Sequence, residues 1–402
     1  MAKKKVDTDT MSTDTITPEQ MPPEKKKTVQ HPRLTALMAS EMIKKINKDS
    51  GGIIAARATD LDYHTKRIPS GIFKLDCGLG GGWAVGGVHT LYGMESGGKT
   101  TNVLRAIAQA QKLCGNCWSG SWSGEEKTSK CDCGDFRQVL ASFIDVEGTL
   151  DLEWAEQLGV DLNSLQINKP EYAEQSLDLL EGLVRSGQID IIALDSLAFL
   201  TPAKEIEEST AKETMGIQAR TIGKGMRKLV SALASQNLMS AKRKPTIFFT
   251  NQIRMKIGVM YGSPETTPSG MAPKFIATSE VRCGQGKYEV DTQENGGAGV
   301  DKPSRAIMRY KVEKNKSASP KHEGEYEVCL ISFENKKLGD VMNEKDVVEY
   351  ASKLGVLEGS GGHWKFIGRD FKKKEEIEAA LMHEPELYSS ARKLVLEAFK
   401  KL

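Results

Sequence analysis

The sequence lacks an excess of charge of either sign. Its 56 Lys and Arg face 54 Asp and Glu, a net of +2. That excludes a globally basic, histone-like binder, although a local basic groove is enough to hold nucleic acid. It also lacks a membrane-length apolar run. The longest uncharged stretch, Cys77–Met94, holds seven glycines and reads as turns and strand ends. Lys3, Lys4 and Lys5 are followed by no apolar segment, so a secretory signal is not expected and a cytoplasmic location is. No internal repeat is visible. The first 30 residues contain no aromatic side chain and are rich in Thr, Lys, Asp and Pro, so they cannot bury enough apolar area to offset ordering entropy. A disordered tail is expected over 1–30. Cysteine is sparse and odd in number, seven in all, which does not suit a disulfide scaffold. Four of the seven cluster, which suits a metal in a reducing compartment.

What is present is ordinary for a globular chain: 402 residues, 39% hydrophobic and 27% charged, with room for two or three domains. Leu34–Ile46 has the apolar spacing of a short amphipathic helix, placing an oligomerisation segment at 31–66. From 67 to 334 strand and helix patterns alternate. Strands are expected at His89–Tyr92, Ser142–Ile144, Ile189–Leu194 and Thr246–Asn251. Helices are expected at Thr101–Leu113, Gln175–Arg185 and Thr214–Leu233. Ile189–Leu194, apolar except for Asp190, reads as a parallel strand buried on both faces. The alternation implies an α/β fold with a mostly parallel central sheet. Residues 335–402 read as a small, charge-mixed α/β C-terminal domain, with helices at Lys373–Leu381 and Ser389–Leu402.

Gly93-Met-Glu95-Ser96-Gly97-Gly98-Lys99-Thr100 matches GxxxxGK[ST] between a strand and a helix. Such a loop turns backbone N–H groups around phosphates, and the helix N-terminus adds positive potential. Lys99 then reaches the β- and γ-phosphates, and the Thr100 hydroxyl helps hold Mg²⁺. Asp195, ending the apolar run, supplies the second metal carboxylate, with Ser196 beside it. Asp145 and Glu147 lie two residues apart at a third strand end and are expected to share a face. Glu147 is there placed to polarise an attacking water.

Several segments together resemble the bacterial RecA recombinase family. They are Leu91–Thr101, Phe143–Asp151 (FIDVEGTLD), Asp195–Glu207 (DSLAFLTPAKEIE) and Asn251–Thr267 (NQIRMKIGVMYGSPETT). The resemblance runs from about Leu34 to the C-terminus. It implies a RecA-type P-loop ATPase core using ATP and Mg²⁺. It places Glu147 as the base for hydrolysis, Asp151 and Trp154 at the adenine, and Thr101 in the phosphate site. Gln252 takes the place of the γ-phosphate sensor. Lys314 and Lys316 resemble a pair reaching a neighbouring subunit's ATP, and Phe275 matches a subunit-interface position. DNA contacts are implied near Met215 and at Arg220, Arg227, Arg254, Lys256, Ile257, Thr266, Thr267 and Gly270. Lys224 and Lys228 share the basic helix face of Arg220 and Arg227. The partners implied are single- and double-stranded DNA, further copies of the chain in a helical filament, and single-strand-binding or loader proteins.

This sequence departs from the family at Pro268-Ser269 and Met271. Residues 286–304 suggest a longer hairpin. The sequence ends Phe399-Lys-Lys-Leu402 without an acidic stretch, so autoinhibition by an acidic tail is not expected. Cys114-Gly-Asn-Cys117 and Cys131-Asp-Cys133 enclose a polar loop in a place where the family has a short turn. The reading is a structural Zn²⁺ knob over 114–133, with free thiols or a redox disulfide as the alternatives. Trp118 and Trp122 are expected to pack on the knob. Two other functions compete with an ATP-dependent recombinase: a hexameric helicase or branch-migration motor, and a scaffold that uses ATP only as a switch.

Overall fold

The computed structural model describes residues 36–50, 55–56, 65–121, 123, 128–208, 216–236, 244–255, 265–290, 303–319, 322–332 and 335–401. The chain divides into two units, 1–56 and 57–402. In the first, helix α1 (Ala36–Ser50) is followed by a return of the chain to Asn47. The Asn47 amide donates to the Ala55 carbonyl and accepts from the Ala55 N–H, both at 2.8 Å. Leu34, at the start of the expected helix, lies outside the described residues.

The second unit opens with β1 (Arg67–Ile68), α2 (Phe73–Leu79) and β2 (Trp83–Ala84). Then come β3 (Val88–Gly93), α3 (Lys99–Gln111), β4 (Ala141–Asp145) and α4 (Leu152–Gln157). Next are β5 (Leu165–Asn168), α5 (Ala173–Ser186), β6 (Ile191–Asp195), α6 (Ala203–Glu207), α7 (Ile217–Gln236) and β7 (Thr246–Gln252). A short ribbon, β8 (Arg254–Met255) with β9 (Glu265–Thr266), precedes α8 (Ala272–Ile276). Three antiparallel strands follow: β10 (Ser279–Glu289), β11 (Arg305–Asn315) and β12 (Glu323–Cys329). The main sheet has eight strands in the order β12-β11-β10-β3-β7-β6-β4-β5. From β10 to β5 every neighbouring pair is parallel, and β11 and β12 extend the sheet antiparallel. The expected hairpin around 286–304 is the β10–β11 pair, whose connection at 291–302 lies outside the described residues.

Both faces of the sheet are covered, and the residue alternation in its strands shows how. Ile191 and Ala193 join Leu91, Phe143 and Phe248 in the core under α3. Ile192 and Leu194 point the other way, to Ile144, Ile247 and Phe249 under α5 and α7. Period-two side-chain alternation therefore makes β6 apolar on both sides, as its sequence requires. At the rate of about 25 cal/mol per Å² of apolar area, such strands supply much of the favourable folding term.

The C-terminal elements are α9 (Asn343–Lys353), the three-stranded β13 (Glu358–Ser360), β14 (His363–Phe366) and β15 (Arg369–Phe371), then α10 (Lys374–His383) and α11 (Pro385–Phe399). The two expected helices here appear as α10 and α11, the second starting four residues earlier because Pro385 suits the first helical turn. A third core joins Val347, Phe366, Ile377 and Val395 to Phe73 and Cys77 of α2. It is pinned by an ion pair from the partly exposed Arg392 to the buried Asp76 at 2.5 Å. Asn343 adds a two-way clasp, accepting from the Phe73 N–H at 2.8 Å and donating to the Gly71 carbonyl at 2.9 Å. Cys77, Cys283 and Cys329 are all buried. No helix of the described residues is long and apolar enough to cross a membrane.

Candidate active site and nucleic-acid interface

Parallel strands end on one edge, and an open α/β sheet binds ligands outside that edge. Here β3, β4, β6 and β7 bring Gly93, Asp145, Asp195 and Gln252 together. Gly93 is in register with Gln252, and Asp145 with Asp195. The phosphate loop leaves β3 and enters α3 through Gly98, whose φ of 74° is left-handed and open to glycine without penalty. Ser96 also has positive φ, at 57°. Lys99 is folded over the loop, its Nζ donating to the Met94 carbonyl at 2.7 Å.

Three hydroxyls set the carboxylates. Thr100 donates to Asp195 Oδ2 at 2.5 Å, and Thr250 of β7 donates to Asp195 Oδ1. Ser196 donates to Glu147 Oε1 at 2.5 Å, and the Asp195–Ser196 peptide is cis. Burial holds the Asp195 carboxyl above its usual range, against the opposing pull of Thr100 and Thr250. Burial also raises Glu147, partly countered by Ser196, and the negative charge of Asp195 adds to the rise. Asp145 differs from its expected role. It is buried and accepts from the N–H groups of Gly148, Thr149 and Leu150, so it caps the turn that presents Glu147 and does not share an exposed face with it. Glu147 lies past the end of β4, where strand alternation no longer applies.

Asp151 caps α4, accepting from the Trp154 N–H at 3.1 Å. The Trp154 indole in turn donates to Thr101 Oγ1 at 3.4 Å. The expected adenine pair and the first turn of α3 are thus in contact. Beside them a cavity of about 260 Å³ is lined by Ser96, Gly98, Trp154, Met308 and Leu330 among others. Thr250 carried no sequence signal of its own. Its position two residues before Gln252 on a strand ending at the loop is what could have marked it.

The basic helix α7 separates into two groups. Arg220, Lys224 and Arg227 are exposed, with Arg220 Nε donating to the Gly216 carbonyl at 3.3 Å. Lys228 departs from the shared basic face: it pairs with Asp178 at 2.5 Å and Glu181 at 2.7 Å on α5. Its charge is spent within the fold. Arg254 faces Thr266 across the β8–β9 ribbon, rooted next to Gln252. Thr267 and Gly270 follow, the latter with φ of 74°. Met215, Lys256, Ile257 and Trp122 lie outside the described residues.

Lys314 and Lys316 lie at the end of β11, against the last turn of α8. Lys314 Nζ donates to the Lys274 carbonyl, and Lys316 Nζ to the Phe275 carbonyl at 3.2 Å. Burial and the neighbouring Lys316 lower the pKa of Lys314. Phe275 is 72% exposed, so it is not a core aromatic in this chain.

At the far end of α3 the four clustered cysteines converge. Their ligand atoms all lie within 4.8 Å of one another. The Cys114 and Cys133 sulfurs are 3.8 Å apart, and those of Cys131 and Cys133 are 3.3 Å apart. Four thiolates around zinc at about 2.3 Å would be about 3.8 Å from each other. A disulfide needs sulfurs at about 2.05 Å. The intervening chain doubles back by bridges Cys114–Gln138 and Ser121–Lys130. At Gly120 a Cβ would fall 2.0 Å from the Lys130 carbonyl oxygen, so only glycine fits. Trp118 packs on the main core. Arg137 ties the knob to the sheet, pairing with buried Asp190 at 2.5 Å.

The family model described as RecA N-terminal domain matches residues 37–119 and 132–332. The stretch at 120–131, which ends on Cys131 of the second cysteine pair, falls outside the match. Protein RecA of Francisella philomiragia subsp. philomiragia is 36% identical over 345 residues, covering 84% of this chain and 82% of that one. Protein RecA of Mesoplasma florum is 36% identical over 323 residues, 79% of this chain and 83% of the relative. Protein RecA of Nautilia profundicola is 35% identical over 360 residues, 89% and 90% of the two chains.

Proposed function

The chain belongs to the RecA family and is an ATP-dependent DNA recombinase, and we propose that it pairs and exchanges DNA strands as a helical filament driven by DNA-dependent ATP hydrolysis. The observation that carries this reading is the register of Gly93 with Gln252. The strand that starts the phosphate loop is hydrogen-bonded to the strand from which the DNA-binding ribbon departs. Nucleotide state and grip on DNA are then read at one place.

In this mechanism the backbone amides of residues 95–100 and Lys99 hold the triphosphate. Thr100 and Asp195 form an oxygen pair of the kind that Mg²⁺ takes. Mg²⁺, when bound, neutralises charge on the β- and γ-phosphate oxygens. Glu147 accepts the proton of the attacking water, with Ser196 fixing its carboxylate. Asp151 and Trp154 hold the adenine, and Gln252 senses the γ-phosphate. Lys314 and Lys316 act on the nucleotide of an adjacent copy, as arginine fingers do in trans. Their support on α8 and the exposure of Phe275 beside them favour an interface role. Arg220 and Arg227 contact DNA phosphates; Met215, Arg254, Lys256, Thr266, Thr267 and Gly270 contact the strand, and Ile257 wedges between stacked bases. Base pairing supplies the homology test, so the protein itself needs backbone contacts only.

Electron microscopy of the full chain with ATP and circular single-stranded DNA tests the assembly. Open helical filaments are the expected result. Closed six-membered rings would favour the helicase alternative and overturn this one.

The four cysteines hold a structural Zn²⁺ in this proposal. Four protein thiolates complete a tetrahedron and leave no open position, so the metal organises the knob and does no chemistry. Purified protein should carry about one zinc per chain, falling to near zero in Cys117→Ser by elemental analysis. Less than about half an equivalent in the native chain counts against four-thiolate ligation.

A further inference from the structure

Strand β7 ends on three polar residues, Thr250, Asn251 and Gln252, and the site described above uses only the first and the last. Side chains alternate across a strand, so Thr250 and Gln252 share one face and Asn251 takes the other. The packing agrees. Phe248 joins the core under α3, while Phe249 joins the core under α5 and α7. Thr250 accordingly reaches Asp195, on the nucleotide side. Asn251 is 2% exposed, and its amide donates to Ser269 Oγ at 2.6 Å. Its Oδ1 accepts from the Gln252 N–H at 3.0 Å. One buried amide thus holds both the backbone of the sensor and a residue on the far side of the second DNA-binding loop.

Ser269 is one of the positions where this sequence leaves the family pattern, and it is fully buried. It follows the β8–β9 ribbon on the returning limb of the loop, between Thr267 and Gly270, which contact the strand in the mechanism above. What fixes Ser269 therefore fixes its neighbours. The limb also meets the other DNA-binding element. A Cβ at Gly270 would stand 3.4 Å from the Cβ of Ala219, one residue before Arg220 on α7. The void beside the Asn251–Ser269 bond measures about 10 Å³, no more than one water needs. Without the serine hydroxyl the buried Asn251 donor loses its acceptor, which is costly. A movement of the β7 end is then carried to the returning limb by a packed side-chain link.

We propose that Ser269 is a positioning residue: through Asn251 it ties the returning limb of the second loop to the nucleotide sensor, so that the strand-contacting residues of that limb are set differently in the ATP and ADP states. This rests on the reading of a filament whose grip on DNA is switched by nucleotide. Pinning the loop equally in every state is the rival explanation.

The two are separated by the fluorescence anisotropy of a labelled oligo-dT titrated with the full chain, in Mg²⁺ with either ADP or a non-hydrolysable ATP analogue. The readout is the ratio of the two affinities. Ser269→Ala should shrink that ratio by about fivefold or more, the lower end of coupling between two sites. The loss should fall on the ATP-analogue state and leave the ADP state unchanged. By reciprocity, the gain in analogue affinity that DNA brings should shrink by the same factor. ATP turnover without DNA should stay native, since Ser269 stands outside the nucleotide site. Ser269→Gly removes the same oxygen and is the second variant should the first not fold. A native ratio in either variant, or equal losses with both nucleotides, overturns the proposal. If the native chain itself grips DNA equally with either nucleotide, the switched filament is wrong and this coupling falls with it.

Discussion

Lys99→Ala is expected to abolish strand exchange between circular single-stranded and linear duplex DNA, and to cut ATP turnover by about 10³-fold. The reason is local. Lys99 is the cation of the loop, held 2.7 Å from the Met94 carbonyl and facing the space that the phosphates would fill. No other lysine stands in the loop, whose remaining residues are Gly, Met, Glu, Ser and Thr. Alanine leaves the amides and the α3 N-terminus but removes the charge that offsets the γ-phosphate. The assay is strand exchange on agarose, paired with phosphate release. Normal exchange by Lys99→Ala would remove the basis of the mechanism.

Glu147→Gln should split binding from chemistry. The variant keeps ATP and DNA binding, because Glu147 holds neither, and loses about 10²–10⁴ in kcat, the range for a positioned general base. Glutamine still accepts from Ser196, so the turn built on Asp145 persists. Filaments of this variant should therefore be long-lived, since release follows hydrolysis. The pH profile adds a second check. Burial raises the Glu147 pKa. A protonated carboxyl cannot take a proton, so native kcat falls as pH drops through that raised value, earlier than for an exposed glutamate. The acid limb should vanish in Glu147→Gln. Fast turnover in this variant, or an acid limb unchanged by the substitution, contradicts the assignment.

How far the sequence reveals this depends on whether a residue acts through local pattern or through distant contact. The phosphate loop, β6 and α5 are readable because spacing, glycine placement and apolar runs express them within a few residues. The C-terminal β-strands are poorly readable, being short and mostly exposed, so no alternation marks them. α9 is short, and its apolar positions Val347, Val348 and Ala351 stand among charged residues, so the helix shows clearly only once its face is seen on the core shared with α2, α10 and α11. Asp145 and Lys228 show the other limit. Their charges suggest outward roles, yet backbone amides three to five residues on occupy Asp145, and α5 carboxylates on the neighbouring helix occupy Lys228. Thr250 is equally silent in sequence: a strand threonine looks ordinary until Asp195 is seen beside it.

The thirteen residues of α3 form a rod about 20 Å long, with the triphosphate cradle at its head and the cysteine knob just beyond its foot. An appendage so placed is a passenger on the engine. A dye or affinity handle attached at Ser123 would ride with each subunit while staying clear of the combustion chamber, making the knob a ready mounting point for watching assembly in real time.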